Sequence, residues 1–474
     1  MAEADGIRGF GAQFFFLPRK LFLGSDHSYK NALRSKQHRA FTTKNQVCQI
    51  SCPATRLAVA YCANGCESAS RLAFLTDKSE LRSIVTTPPL SIANTDNPFD
   101  RRGPFLLSLL MTLVGYSVLV ALPAINGAWV DQLGFSDVEV NRVASADLLG
   151  LFLGAVITSV LIRLQNRQVL IYLGILLAVL ANALCTQYVD YETTLMLRLL
   201  AGLGAGIYTA VAVACLGAHS KPREAFNWML LAFCISQFIE LQLIPLLSMN
   251  GIYVFFIATY VVTLPFVHII PKESPPAEAT LTDAANTKRP SVRAWIGIAA
   301  IVIAYINIGA YWSNIELAAE SSGLDGDWSA QVISWSVLLS FFGCFAAMIV
   351  LKKFDYDRPL LVTLAIMVFS VGLLAIDFTA ALFIFSVATF NFLWIFIDVY
   401  QMGGVSVADR SGSAAAFIPG AQGLGQTIGP FSASIMLELG WGFDGVFILC
   451  ALSALLALIV YWVIYLQSRA KTSH

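Results

Sequence analysis

The sequence predicts an all-α membrane protein, with twelve transmembrane helices arranged as two six-helix halves related by pseudo-twofold symmetry. Three observations carry that prediction. Hydrophobic residues make up 57% of the 474 residues and charged residues 13%, with a mean hydropathy of +0.69, a balance that suits lipid rather than water around the protein. From residue 105 onward, long apolar runs alternate with short polar breaks, and each run has roughly the ~20 residues needed to cross a ~30 Å hydrocarbon core. Lysine and arginine fall in alternate breaks, the pattern of an even number of spans with both termini cytoplasmic.

In chain order the expected spans are 105–126, 143–162, 168–187, 193–217, 226–248, 251–270, 295–316, 329–351, 359–377, 379–404, 412–437 and 443–466. Only "SMNG", Ser248 to Gly251, parts the fifth from the sixth. The basic breaks carry Arg101 and Arg102, Arg163 and Arg167, Lys221 and Arg223, Lys272 to Arg293, Lys352 to Arg358, Arg410, then Arg469 and Lys471. The other breaks carry Asp131, Asp137, Glu139, Asp190, Glu192, Glu320, Asp325, Asp327 and Asp444, with Arg142 as the basic exception. The break 271–294 is rich in Pro, Ala and charge and has no apolar periodicity, so it reads as a cytoplasmic linker. It divides a first half, 101–270, from a second, 295–467, which ends in a cytoplasmic tail, 468–474.

The fourth span, "LMLRLLAGLGAGIYTAVAVACLG", places Gly202, Gly204 and Gly206 after a single Arg198. A phosphate-cradling loop would need a strand-to-helix turn, and no turn residues interrupt this run. Small residues at this spacing instead let neighbouring helices approach closely. Arg198 is then an intramembrane charge, costing at least ~2.5 kcal/mol unless it is paired or faces a cavity. The halves also repeat internally. "GAVITSVLIRLQNRQVLIYLG" from Gly154 parallels "GCFAAMIVLKKFDYDRPLLVTLA" from Gly343, with a glycine nine positions before a basic residue and a short loop into the next helix. Such repeats place a solute site between the halves, near the midplane.

On these residues the chain resembles the major facilitator superfamily over about 101–467. Arg198 with Gly202, Gly204 and Gly206 is similar to its fourth-helix motif of an arginine followed by glycines. Gly154, Arg163 and Arg167 are similar to the gating-loop motif between helices two and three, without the family's usual aspartate. "GQTIGP", Gly425 to Pro430, looks like the glycine-proline segment of helix eleven. The fifth span lacks the glycine-rich motif of the family's drug-proton antiporters. The resemblance implies the family's twelve-helix fold and a cavity lined by helices one, four, five, seven, ten and eleven.

Signatures of soluble enzymes are absent: there is no nucleophile elbow, no pair of metal-ligand histidines and no phosphate loop with lysine. The chain therefore reads as no enzyme and without cofactor, and a proton gradient is the expected energy source. Net charge is +0, so nucleic acid is not an expected partner; the expected partners are a small-molecule solute and the lipid bilayer, with the chain a monomer. Polar side chains near mid-membrane are Tyr116, Gln237, Asn307, Tyr311, Asn391, Gln422 and Gln426, offering hydrogen bonds and aromatic surface to a solute or to neighbouring helices. Asp398 lies toward the cytoplasmic end of the tenth span, as a proton site or as a partner for Arg410. Glu316 and Asp377 end their expected spans and read as solvated.

Counting from the outer helix ends places Arg198, Asp147 and Glu240 ~7 to 12 Å below the outer surface. A charge cluster of Arg198 with Asp147, Glu240 or both is expected. The unpaired acid would carry the coupling proton, and Arg198 would sense its protonation or bind an anionic solute. The function expected is alternating-access transport of a small organic solute, as proton-coupled import, with a carboxylate-bearing solute suiting Arg198. Export of hydrophobic compounds is the alternative, and a non-transporting sensor on the same fold is the alternative of another class. A plasma or bacterial inner membrane is the expected location.

Residues 1–100 stand outside this pattern, being polar and basic between Arg8 and Arg56. Three readings stand side by side: an acid-poor organelle leader, a coding start near Val85 with a short polar leader, and a disordered tail. Cys48, Cys52, Cys62 and Cys66 have the paired spacing of a tetrahedral zinc site, or are free thiols in that tail.

Overall fold

The computed structural model describes residues 97–162, 164–272, 291–408 and 417–472. Those residues form α-helices joined by short turns and 3-10 segments, with no strand among them. The first half comprises α1 (Arg102–Val120), α2 (Leu122–Leu133), α3 (Asp137–Leu161), α4 (Arg167–Cys185), α5 (Tyr191–Gly217), α6 (Pro222–Leu243) and α7 (Met249–Thr263). The second comprises α8 (Val292–Ser321), α9 (Gly326–Val350), α10 (Asp357–Gly372), α11 (Ala380–Ala408), α12 (Ile418–Glu438) and α13 (Gly442–Thr472). Among the described residues eleven helices are long and apolar enough to cross a membrane. The helix at the expected eleventh span, α12, is not among them: glycines, glutamines and serines dilute its apolar residues, and it lies packed against α8, α3 and α13.

The first expected span is broken rather than continuous. Pro123 enters the first turn of α2, where its missing N–H costs least, and the chain bends at Ala121 (φ −96°, ψ 10°). Helix starts follow capping chemistry: Ser136 and Glu139 close a capping box at α3, and Asn166, Asp190, Ser248, Ser291 and Asp325 cap α4, α5, α7, α8 and α9. The Thr193 backbone N–H donates to Asp190 and holds its carboxyl below the usual range. The box starts α3 six residues before the expected 143. Gly134 (φ +70°) and Gly323 (φ +81°) take the left-handed conformation just beyond α2 and α8.

Packing within each half repeats the same pairings. Helices α3 and α5 correspond to α9 and α11, α4 and α7 to α10 and α13, α1 and α6 to α8 and α12. The α3–α5 seam is built from glycine. A Cβ at Gly150 or Gly154 would collide with the α5 backbone, and one at Gly202 or Gly206 with the carbonyls of Asp147 and Leu151. Gly204 faces the other way, onto Gly174 and Ala178 of α4. In the second half Gly343 of α9 meets the Phe392 carbonyl of α11, as Gly154 meets that of Leu203. Van der Waals packing at this range replaces the hydrophobic drive that lipid removes.

The expected linker falls largely at 273–290, outside the described residues, as do Arg163, Arg410, Cys48, Cys52, Cys62 and Cys66. One expectation is overturned. Helix α8 runs on to Ser321, so Glu316 lies inside it and is buried, 6% exposed, while Asp377 is exposed as expected.

The seam yields a stability prediction. Gly206→Val forces α3 and α5 apart at a backbone contact and is expected to cost about 1–3 kcal/mol, read as a lower thermal midpoint in detergent. The same substitution at Gly404, where a Cβ meets nothing within 4 Å, leaves the midpoint nearly unchanged.

Candidate functional site

Arg198 lies inside the first half, 1% exposed. Its Nε donates to Asp147 Oδ2 at 2.8 Å, its Nη2 donates to the same oxygen, and its Nη1 donates to Asn182 Oδ1 at 2.8 Å. The Tyr253 ring of α7 lies 6.0 Å from the guanidinium carbon, and the Tyr253 hydroxyl accepts from Trp129 of α2 at 3.1 Å. Helices α3, α4, α5 and α7 are thus tied around one charge. Asn182 escaped the sequence reading, although an amide within an otherwise apolar span was its visible signal. Every guanidinium nitrogen of Arg198 is engaged, and the group is buried.

Glu240 does not join this pair. Its Oε2 accepts from Ser117 of α1 at 2.5 Å and its Oε1 from Ser236 at 2.6 Å. It is 6% exposed, and its partners are neutral hydroxyls. Nearby Gln237 is buried with Nε2 unpartnered, and Tyr116 meets Phe233 edge-on at 6.1 Å.

The second half builds a third polar group. The Tyr305 hydroxyl of α8 lies 2.6 Å from both carboxylate oxygens of Asp398 on α11, and Gln422 of α12 donates to that hydroxyl at 2.7 Å. Asp398 therefore has a phenol as its hydrogen-bond donor. The sequence reading passed over Tyr305, which sits ~20 Å up α8 from its start, at mid-membrane depth.

The remaining expected cavity residues divide. Tyr311 is fully buried, stacked on Phe390 at 4.1 Å and bonded to Ser386 at 3.0 Å. Asn391 donates to Ser336 at 2.9 Å and to the Val387 carbonyl at 3.1 Å. The bonds and ring contact of both lie within the second half, and Asn391 Oδ1 is buried without a partner. Asn307 is buried with Oδ1 unpartnered, and Gln426 is buried with its backbone against Gly309. Gly154 lies in the α3–α5 seam. Arg167, at the start of α4, is buried with its guanidinium 4.7 Å from the Phe99 ring and 3.8 Å from Cys215 Sγ.

The halves touch through α3 with α12, α6 with α9, and α2 with α8. Their side-chain hydrogen bonds cluster toward the end away from the 271–294 segment. There Asn126 donates to the Ser313 carbonyl at 2.7 Å, Trp312 to the Leu119 carbonyl at 3.1 Å, and Asn141 and Asn314 exchange bonds of 2.7 and 2.8 Å. Arg142, the basic exception in the sequence, pairs with Glu438 at 2.5 Å. Gln242 reaches Gln331 and Ser334, both at 3.0 Å. Toward the linker end, an open cavity of about 300 Å³ lies between α6 and α9, lined by Glu224, Asn227, Leu231, Cys234 and Phe341, with the exposed Trp228, Phe345 and Met348 at its rim. The side-chain bonds between the halves thus form a latch at one end.

The model of the Major Facilitator Superfamily matches residues 105–404. Among curated protein sequences none matches the chain. Solved structures similar to this chain include a nucleoside transporter, NupG (12% identity, TM-score 0.58, covering 76% of this chain and 97% of that one). A D-xylose-proton symporter is similar at 16% identity and TM-score 0.59, covering 76% and 97%. The POT family transporter PepTSo is similar at 12% identity and TM-score 0.61, covering 78% and 98%. At these identities the likeness is one of fold.

The buried pair makes a prediction of its own. Asp147→Leu strands the Arg198 guanidinium and is expected to cost about 3–5 kcal/mol, measured by unfolding in detergent. Combining it with Arg198→Met recovers most of that loss. A single substitution no worse than the double would show that the pair is not what holds these helices.

Proposed function

The chain belongs to the major facilitator superfamily, and from that premise we propose that it carries a small organic solute across a membrane by alternating access, as proton-coupled import. The observation that supports this most directly is the pair of matched halves, latched to each other at one end, with a buried polar group of Tyr305, Asp398 and Gln422 in the second. A phenol and an amide in that group suit a solute bearing hydroxyl or amide groups. A carboxylate-bearing solute loses its main support, because Arg198 is occupied by Asp147 and Asn182. Two similar structures are those of a nucleoside transporter and a D-xylose-proton symporter.

We place the linker end in the cytoplasm of a plasma or bacterial inner membrane, on the alternation of basic and acidic breaks. The latched end then faces outward. Glu240 is the acid we assign to the coupling proton: Asp147 has its cation, whereas Glu240 has only hydroxyl partners. Asp398 is the second candidate. The monomer in the bilayer is the working unit, without cofactor.

A second reading, export of hydrophobic compounds, draws on the apolar lining of the α6–α9 cavity. Purified protein in liposomes with an imposed proton gradient separates the readings. Uphill uptake of a polar solute, accompanied by proton movement, is expected. Glu240→Gln should abolish accumulation and retain counterflow exchange, since exchange does not require the site to deprotonate. Accumulation that survives in Glu240→Gln and in Asp398→Asn would refute the coupling assignment, and solute binding without movement would favour the sensor.

Topology is tested separately with an impermeant thiol reagent on single-cysteine variants. Glu192→Cys and Asp325→Cys should label in intact cells, and Lys288→Cys only after permeabilisation. The reverse pattern overturns the orientation.

A further inference from the structure

Glu316 has no role in the transport reading above, yet it occupies the middle of the latched end. It is 6% exposed, and its Oε2 is buried without a hydrogen-bond partner. Helix α2 crosses so close that a Cβ at Gly127 would sit 3.4 Å from Oε1. The neighbouring Asn126 spends its Nδ2 on the Ser313 carbonyl, one turn before Glu316, and its own Oδ1 is buried and unpartnered. Two acceptors on facing helices are therefore enclosed in the latch without a donor, and an orphaned buried acceptor is costly.

Charge makes the shortage sharper. The ionisable groups within electrostatic range of Glu316 are Glu320 on the same helix and Asp131 on α2, and Asp137 of α3 adds to the field at Glu320. All are acidic. Arg142 of α3, at the same end, is taken by Glu438 of α12. An ionised carboxylate enclosed here would lack both a cation and a donor, which costs several kcal/mol. A proton on the carboxyl removes the charge and supplies the donor that the site lacks.

We propose that Glu316 is a proton-binding site of the latch between α2 and α8, occupied while the latch is closed and emptied into water when it opens. The proposal rests on the alternating-access reading and adds to it a place where closing the outer side takes up a proton. The proton goes onto one carboxyl oxygen and leaves to solvent, with no other bond changed. The linkage has one sign: the closed latch binds the proton more tightly, so acidification stabilises closure and rising pH releases it. The change reaches at most about tenfold in the closed-to-open ratio per pH unit.

Amide hydrogen exchange on the full-length protein in nanodiscs, without solute, tests this directly. Peptides covering 122–133 and 312–321 are followed over a pH series, corrected for intrinsic exchange rates. Wild-type protection should fall as pH rises, by up to about tenfold per unit, while Glu316→Gln stays protected throughout. Should Glu316→Gln fail to fold, infrared spectra of the wild type take its place. The carbonyl band of a protonated carboxylic acid should vanish over the pH range in which protection falls, and shift in Glu316→Asp. Protection independent of pH in the wild type, or pH dependence that persists in Glu316→Gln, would overturn the site. Because no solute is present, failure of transport in liposomes would sink the transport reading without touching this result.

Discussion

One guanidinium organises the first half. Lipid gives Arg198 nothing to bind, so the chain must supply its partners from within, and it does so from three other helices: Asp147 on α3, Asn182 on α4 and the Tyr253 ring on α7. The requirement reaches further than the pair itself. For Asp147 to meet Arg198 the backbones of α3 and α5 must nearly touch, and the glycines at 150, 154, 202 and 206 are what allow it. The fourth-helix motif is thus one device, a charge and the thin seam that brings its counter-ion into reach.

The acids of the bundle form a graded series. Asp147 has a cation. Glu240 has two serine hydroxyls, Asp398 has a phenol that an amide supports in turn, and Glu316 Oε2 has no partner. A carboxyl with a fixed cation is held in one state, because removing either partner strands the other. A carboxyl held by hydroxyls has donors that rotate, and it can exchange a proton without stranding a charge. The series therefore runs from an acid tied to a cation to acids without one; of the latter, Glu240 and Asp398 bond within their own halves, and Glu316 lies at a contact between the halves.

Much of the fold was legible in the sequence. Span length, break composition and the alternation of charge each follow from the solvent, and these signals do not depend on tertiary detail. The pairing of Arg198 with Asp147 was accessible too, since matched depth on neighbouring spans is one-dimensional information. What escaped was rotational. Tyr311 and Asn391 sit at mid-membrane depth like Tyr116, yet their helix faces turn into the second half, and no periodicity marks that in a helix apolar on every side. Glu316 was misplaced for another reason. Helix α8 outlasts its apolar run by a turn because Glu316, Glu320 and Ser321 continue it in polar residues, and hydropathy stops where the apolar run stops.

The latch and the seams differ in kind, and that difference is what makes a moving machine plausible on physical grounds. Within a half, backbones meet at glycine and a charge is neutralised; parting them would open voids and strand an ion. Between the halves at the latched end, the bonds are amide to carbonyl, amide to amide and indole to carbonyl, with an exposed ion pair at the rim. Interhelical hydrogen bonds in membranes average about 0.6 kcal/mol each, and exposed pairs contribute about 0–1 kcal/mol. Half a dozen such contacts sum to a few kcal/mol, within the range that differential binding of a solute or a proton supplies. The contacts between the halves at the latched end are thus of the kind that water replaces at little cost, which is what the proposed alternating access requires of them.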